Sequence, residues 1–356
     1  MNSLVIQDKQ IRSEVLITLG TELVKMKLWN QAEMLWDRAE TATYMIEERS
    51  KRAIMLLRLV TELIKAQQWD RAKTLINTIE MNWIKAKLLI RLGVKLTEAH
   101  QWNQAEEVWA ETEEIVYSIE GNLVRAEVLR EFGVELTKMQ RGERANNIFT
   151  EAKAVTCMIS GNRAKADALR ELSSVLVGVQ QWNQAEEVLV EACAIAHTIE
   201  DPKARALSLC ELSTELANVQ MREQSKVLWA EAEEAARAIE VHEDRAEVMI
   251  RMGKKLANIQ MREQSKVLWT EAEEVARAIE AREDRAKLLK ELAKALEIAG
   301  DREQLLTLVQ HAWLQADTKD YVIRLLSLSS GLISLKPELG IAFYEAFAWV
   351  DDFLKD

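Results

Sequence analysis

The sequence nearly repeats itself at an interval of about 40 residues, within the range of known repeat families. Residues 217–240 and 257–280 read ANVQMREQSKVLWAEAEEAARAIE and ANIQMREQSKVLWTEAEEVARAIE, with only three differences between them. Such a period is typical of stacked repeat units, each of which buries its apolar face against its neighbours. The repeat therefore constrains the fold of this 356-residue chain more than any other feature.

The register extends along most of the chain when Trp182 is taken as a reference. Steps of this same length, with a single step that is shorter by seven positions, define eight units, whose reference positions are Trp29, Trp69, Trp102, Gly142, Trp182, Arg222, Arg262 and Arg302. Seven positions later every unit carries a large apolar residue: Trp36, Ile76, Trp109, Phe149, Leu189, Trp229, Trp269 and Val309. We call each set a column and expect the tryptophans of both columns to have a packing role.

Each unit contains two amphipathic segments. In residues 125–140 and 185–199 the apolar side chains recur mainly every three or four positions, which predicts helices. Glycine and proline, which are unfavourable inside helices, number only 11 and 2. Asn30, Asn103 and Asn183 each precede a glutamate by three positions, which predicts capping boxes. Asp201-Pro202 similarly predicts a helix start, with Asp201 as N-cap. The chain is therefore predicted to be all-α.

Most units end with an isoleucine followed by an acidic residue. Five positions after that acidic residue, near the start of the next unit, every unit carries a basic residue, and these residues form a basic column. Its spacing favours ion pairs across the turn, such as Glu120 with Arg125 and Glu200 with Arg205. Exposed pairs of this kind contribute about 0–1 kcal/mol each.

The two segments resemble the tetratricopeptide repeat (TPR) superfamily. The first-helix signature of that family is matched by Leu129, Phe132-Gly133 and Leu136, and the second-helix signature by Ala145, Phe149 and Ala152. Most units of this chain are longer than the family's repeat of about 34 residues. In this respect they are similar to the long repeats in C-terminal sensor arrays of bacterial STAND-type signalling NTPases.

The resemblance implies an all-α, right-handed α-solenoid of about eight TPR-like two-helix repeats over residues 1–317. We interpret residues 1–8 as the remnant of a preceding repeat and residues 318–356 as an atypical, aromatic-rich helical cap. An ordinary N-terminal cap is the alternative for the first segment.

The resemblance also places a set of polar first-helix residues on the concave face of the array. These candidate partner-binding residues are Glu127, Arg130, Lys138, Asp167, Arg170, Ser174, Glu247, Lys254 and Asn258. Their positions vary between units, whereas the packing columns do not. Such variation is typical of a recognition surface for a protein or peptide, and a neutral solvated face would show it as well.

The C-terminal segment carries aromatic residues on more than one side of its predicted last helix. Phe343, Tyr344, Phe347, Trp349 and Phe353 are candidate docking residues, for a partner or for self-association. A cap folded against the eighth unit is the alternative.

Composition and motifs argue against several functions. The formal net charge of −11 is unfavourable for nucleic acid and for anionic membranes. The three cysteines are too few for a disulfide framework, which favours a reducing cytoplasm. We expect neither a phosphate-binding loop nor a catalytic set. A metal site at Cys193, His197 and Cys210 is also not expected, because these are interpreted as surface residues.

The sequence therefore predicts a non-enzymatic scaffold or sensor, without cofactor or metal, that binds a protein or peptide through its concave face. By resemblance it is the ligand-sensing part of a larger bacterial signalling or defence protein. The alternative is a free-standing adaptor, or a scaffold that self-assembles through its C-terminal helices.

Overall fold

The computed structural model describes residues 8–259 and 261–314, together with Leu325. Within these residues the regular elements are sixteen α-helices, which form eight consecutive pairs. The first helices are α1 (Lys9–Lys25), α3 (Arg49–Lys65), α5 (Asn82–Glu98), α7 (Asn122–Lys138), α9 (Asn162–Gly178), α11 (Pro202–Asn218), α13 (His242–Asn258) and α15 (Arg282–Ala299). The second helices are α2 (Trp29–Tyr44), α4 (Trp69–Asn77), α6 (Trp102–Tyr117), α8 (Gly142–Cys157), α10 (Trp182–His197), α12 (Arg222–Arg237), α14 (Arg262–Arg277) and α16 (Arg302–Leu314).

The eight pairs confirm the predicted fold class and register. The shortened step of the repeat corresponds to α4, which has 9 residues where α2 and α6 have 16. The chain divides into two compact units: unit 1 comprises Met1–Ser160 and Glu171–Ala185, and unit 2 comprises Gly161–Arg170 and Glu186–Asp356. In unit 1, α1, α3, α5 and α7 pack in succession, and in unit 2, α11, α13 and α15 do so.

In most pairs the core combines a small first-helix residue with a large second-helix residue 16 positions later. Trp36, Trp109, Phe149 and Trp269 are almost fully buried. Each covers a glycine so closely that a Cβ atom would overlap its ring: Gly20, Gly93, Gly133 and Gly253. This contact explains why the first-helix glycines occur despite their cost in a helix interior.

A tight turn joins the helices of each pair. In six pairs its central residue has positive φ although it is not glycine: Lys27, Gln67, His100, Gln140, Gln180 and Gln220. In the hairpin of α7 and α8, the amide of Arg141 then donates to the carbonyl oxygen of Leu136, at 2.9 Å. This is the Schellman ending of a helix, which usually contains glycine, and Gly300 fills the position in the eighth pair.

Two predictions about the helix ends were wrong. The second helices begin at Trp29 and Trp102, one residue before the asparagines, and their N-cap residues Leu28 and Gln101 make no side-chain capping bond. The basic column also has a different role, because Arg205 donates to the carbonyl oxygen of Ile199, at 3.1 Å, rather than to Glu200. Arg52 and Arg285 make the same bond to Ile46 and Ile279. These guanidinium groups cap the preceding second helix at its negative end. The predicted N-cap Asp201 is confirmed, since it accepts from the amide of Ala204 at 2.8 Å.

Candidate functional site

In unit 1, the candidate partner-binding residues mainly join neighbouring first helices. The side chain of Arg130 is 9% exposed, and its Nη2 lies 2.6 Å from Oε2 of Glu171 on α9. Glu127 accepts from Nζ of Lys87 on α5, at 2.7 Å. Arg130 and Glu127 therefore form ion pairs between neighbouring repeats, and their first role is structural. We call such an ion pair an inter-repeat tie.

The electrostatics of Lys87 agree with this structural role. Its partial burial lowers its pKa, but the hydrogen bond to Glu127 and the charge of Glu131 outweigh desolvation and leave the pKa raised. Lys138 is exposed and pairs with Glu135 in its own helix, at 2.7 Å. Ser174 is exposed.

In unit 2, three more of the predicted residues take part in ion pairs. Nε of Arg170 lies 3.4 Å from Oε2 of Glu211 on α11, and Asp167 lies 4.0 Å from Arg163 in its own helix. Glu247 accepts from Nζ of Lys203 on α11, at 2.9 Å. Hydrogen bonds to Asp244 and Glu247 raise the pKa of Lys203. These carboxylates and guanidinium groups are thus largely satisfied within the protein.

Lys254 and Asn258 lie together at a cleft of about 560 Å³ in unit 2. The cleft lies between the last turns of α13 and α15 and the first turns of α14 and α16. Its apolar lining includes Ile298, whose side chain is 72% exposed, and Trp269 at the base of the helix pair. Pockets of this size, part apolar and part polar, are the usual places where proteins bind ligands.

The cleft carries an excess of positive charge. Four basic residues line it, against the two carboxylates of Asp301 and Glu303. Lys266 pairs with Asp301 at 3.4 Å. In the part of the chain that the structure describes, Lys254, Arg262 and Arg302 form no ion pair. The N-termini of α14 and α16 add partial positive charge, so the cleft is suited to a carboxylate next to an apolar group.

The two tryptophan columns differ in burial. The column that contains Trp36, Trp109, Trp229 and Trp269 is buried, as predicted. The expected packing role was wrong for most of the reference column, since Trp29, Trp102 and Trp182 are 47%, 49% and 54% exposed. Each of these three is the first residue of a second helix.

The interpretation of the cysteines as surface residues was also partly wrong. Cys210 is 1% exposed, and burial raises the pKa of its thiol to about 12. Cys193 is half-buried, and burial together with the charge of Glu231 raises the pKa of its thiol to about 11. His197 is instead bonded to Glu231, with 2.7 Å between Nε2 and Oε2. Among the described residues, no three His, Cys, Asp or Glu side chains are grouped in a way that could hold a metal ion.

The candidate docking residues of the C-terminal segment lie outside the described residues. This applies to Phe343, Tyr344, Phe347, Trp349 and Phe353, and to the proposed boundary at residue 317. None of the described helices is both long enough and apolar enough to span a membrane.

Comparisons with known proteins gave distant structural likenesses. No protein-family model and no curated protein matches the chain. A designed circular tandem repeat protein shares 13% identity, with 92% of this chain and 91% of that chain covered and a TM-score of 0.44. A STAND ATPase with a tetratricopeptide repeat sensor from Pyrococcus horikoshii shares 12%, with 96% and 49% covered and a TM-score of 0.31. Ton1535 from Thermococcus onnurineus NA1 shares 13%, with 88% and 99% covered and a TM-score of 0.32.

The helix pairs themselves define the class of protein. Consecutive antiparallel helices, with a small first-helix residue under a large second-helix residue, form a TPR-like helical-repeat fold, in agreement with the resemblance seen in the sequence.

Proposed function

We propose that this chain is a non-enzymatic binding scaffold, and that the cleft of unit 2 is where it holds an acidic segment of a protein or peptide partner. The observation that carries the proposal is the meeting of Lys254, Arg262 and Arg302, which form no ion pair among the described residues, around a cleft of about 560 Å³. Lys254 and Asn258 are the two predicted concave-face residues that line it.

The balance of acidic and basic residues supports this choice of site. The chain has 58 acidic and 47 basic residues, so carboxylates are available to neutralise most cations. Along the first helices, Arg130, Arg170 and Lys203 are neutralised in this way. A cluster of cations without carboxylate partners, next to the exposed Ile298, is therefore favourable for an anionic partner that also carries an apolar side chain.

The likeness of the sequence to STAND-type sensor arrays extends the proposal. In that role the chain would be the ligand-sensing part of a larger bacterial signalling protein, and binding in the cleft would be the sensed event.

The nearly identical segments 217–240 and 257–280 supply a matched control for the test. Arg262 lines the cleft, and Arg222 occupies the same exposed position one repeat earlier without lining it. Fluorescence polarisation would be measured with a labelled dodecapeptide of alternating Glu and Leu, and with its Lys–Leu counterpart. We expect the acidic peptide to bind more tightly, and Arg262→Glu to weaken it at least tenfold, or about 1.4 kcal/mol.

Arg222→Glu should change the affinity by less than twofold, and the wild-type affinity should fall as salt is added. Equal binding of the two peptides, or equal losses in the two variants, would count against the cleft as the binding site.

A further inference from the structure

A second surface, in unit 1, is neutral and combines an indole with amide side chains. The sequence Trp-Asn-Gln occurs three times at the start of second helices, at residues 29–31, 102–104 and 182–184. The three tryptophans are about half exposed. Part of each indole is therefore open to solvent.

The third copy lines a shallow cavity of about 300 Å³. Besides Trp182, its lining residues are all amides: Asn146, Gln180, Gln181, Asn183 and Gln184. No charged side chain lines this cavity, although 29% of the chain's residues are charged. The cavity therefore favours a ligand that is polar but uncharged.

One amide of this cavity has an unused hydrogen-bonding group. Gln181 donates through Nε2 to Oδ1 of Asn146, and its buried Oε1 has no partner. A buried amide oxygen without a partner costs free energy, so Gln181 would gain if its side chain turned towards a ligand hydroxyl that donates to it. In two of the preceding repeats the residue at this position contacts a carboxylate instead, as Gln68 does Glu33 and Arg141 does Glu106.

From these observations we infer that the cavity beside Trp182 binds a neutral sugar residue of an oligosaccharide. The apolar C–H face of a sugar ring packs on the open indole face, where it removes apolar surface from water. Sugar hydroxyls both donate and accept, and they match amide groups, which also do both. The site is separate from the cationic cleft and does not depend on the function proposed for it.

The test uses the full chain and neutral hexasaccharides of glucose, xylose and mannose, with titration followed by tryptophan fluorescence and calorimetry. We expect at least one hexasaccharide to bind, and Trp182→Ala to weaken it at least tenfold. Gln181→Leu, which removes the unpartnered oxygen, should weaken it severalfold. Trp102→Ala is the matched control, because it removes the same exposed side chain in a repeat where Lys73, which pairs with Glu107 and Glu111, stands at the position of Asn146. It should change the affinity by less than twofold.

Trp182 is exposed, so its variant should keep the wild-type melting temperature, which separates a loss of binding from a loss of folding. The inference is overturned if none of the hexasaccharides binds at millimolar concentration, or if Trp182→Ala and Trp102→Ala have equal effects. It is also overturned if only charged uronic oligosaccharides or proline-rich peptides bind at Trp182.

Discussion

The contact between Gly133 and Phe149 gives the most direct test of how these repeats pack. A Cβ atom on Gly133 would lie 2.5 Å from Cε1 and 2.7 Å from Cζ of Phe149. Ordinary carbon contacts are about 3.5–4.0 Å long, so an added methyl group overlaps the ring by about 1 Å. Phe149 is 1% exposed, so its ring cannot move out of the way into solvent without leaving the core.

The free energy of Gly133→Ala follows from two opposing effects. Overpacking in a filled core costs about 1–3 kcal/mol, and an overlap with two ring atoms belongs at the upper end. Alanine regains about 1 kcal/mol of helix propensity relative to glycine. We therefore expect Gly133→Ala to lower the free energy of unfolding by about 2 kcal/mol in urea titrations followed by circular dichroism.

Phe149→Leu should relieve the overlap. Two other repeats combine a residue larger than glycine at the position of Gly133 with a residue smaller than phenylalanine at the position of Phe149. These are Val60 with Ile76 and Ala293 with Val309, and all four side chains are buried. The double variant should therefore lose less stability than the two single variants combined, with a coupling of about 1–3 kcal/mol. Gly178→Ala is the control for propensity, because nothing lies within 4 Å of the added Cβ. A stable Gly133→Ala variant, or strictly additive losses, would refute the packing argument.

Three further predictions concern the turns, the ties and the thiols. Gln140 has a φ of 60°, which glycine adopts more easily, so Gln140→Gly should stabilise the protein by about 0.5–1 kcal/mol in urea titrations. Gly300 has a φ of 71°, so Gly300→Gln should destabilise it by a similar amount. Opposite signs would contradict this reasoning. Glu171→Gln should cost about 1 kcal/mol in the same assay, because it weakens the pair with the buried Arg130. Glu127→Gln should cost less, because its partner Lys87 is more exposed than Arg130, and equal losses would argue against the tie. The pKa of the Cys210 thiol in the folded protein, about 12, lies above its ordinary value of 9.0, so the unfolded chain releases this proton first as the pH rises. The free energy of unfolding should therefore fall above about pH 9, and it should fall less in Cys210→Ala. Identical pH profiles of unfolding for the two proteins would contradict this prediction.

The register, the helix pairs and the buried column were all predictable from the sequence, because a regular period and a constant large apolar position leave few alternative folds. The exposure of Trp29 was not predictable in the same way. Trp29 and Trp36 are two helical turns apart and lie on the same face of α2, so periodicity treats them alike. They differ because Trp29 is the first residue of its helix, and that end effect depends on where the neighbouring helix stops.

The assignment of recognition residues failed for a related reason. Arg130 and Arg170 vary in the way that a binding surface would, but each faces a glutamate of the next first helix. The sequence does contain a signal of this, since Glu171 and Glu211 each follow their arginine by one repeat length and one further position. A comparison of charges between adjacent repeats would have distinguished residues in inter-repeat ion pairs from residues without such a partner. Variation at a single repeat position could not make this distinction.

The two proposed sites differ in chemical environment. Unit 2 has cations without carboxylates around Lys254, and unit 1 has an amide without a donor at Gln181, among the residues that the structure describes. At the position where Arg141 and Glu106 form an ion pair, the next repeat has Gln181 and Asn146, which are joined by an amide hydrogen bond. An exposed ion pair and an amide hydrogen bond stabilise stacked repeats to a similar small extent, so stacking alone does not select between them, whereas binding of an uncharged ligand at this position would favour the amides.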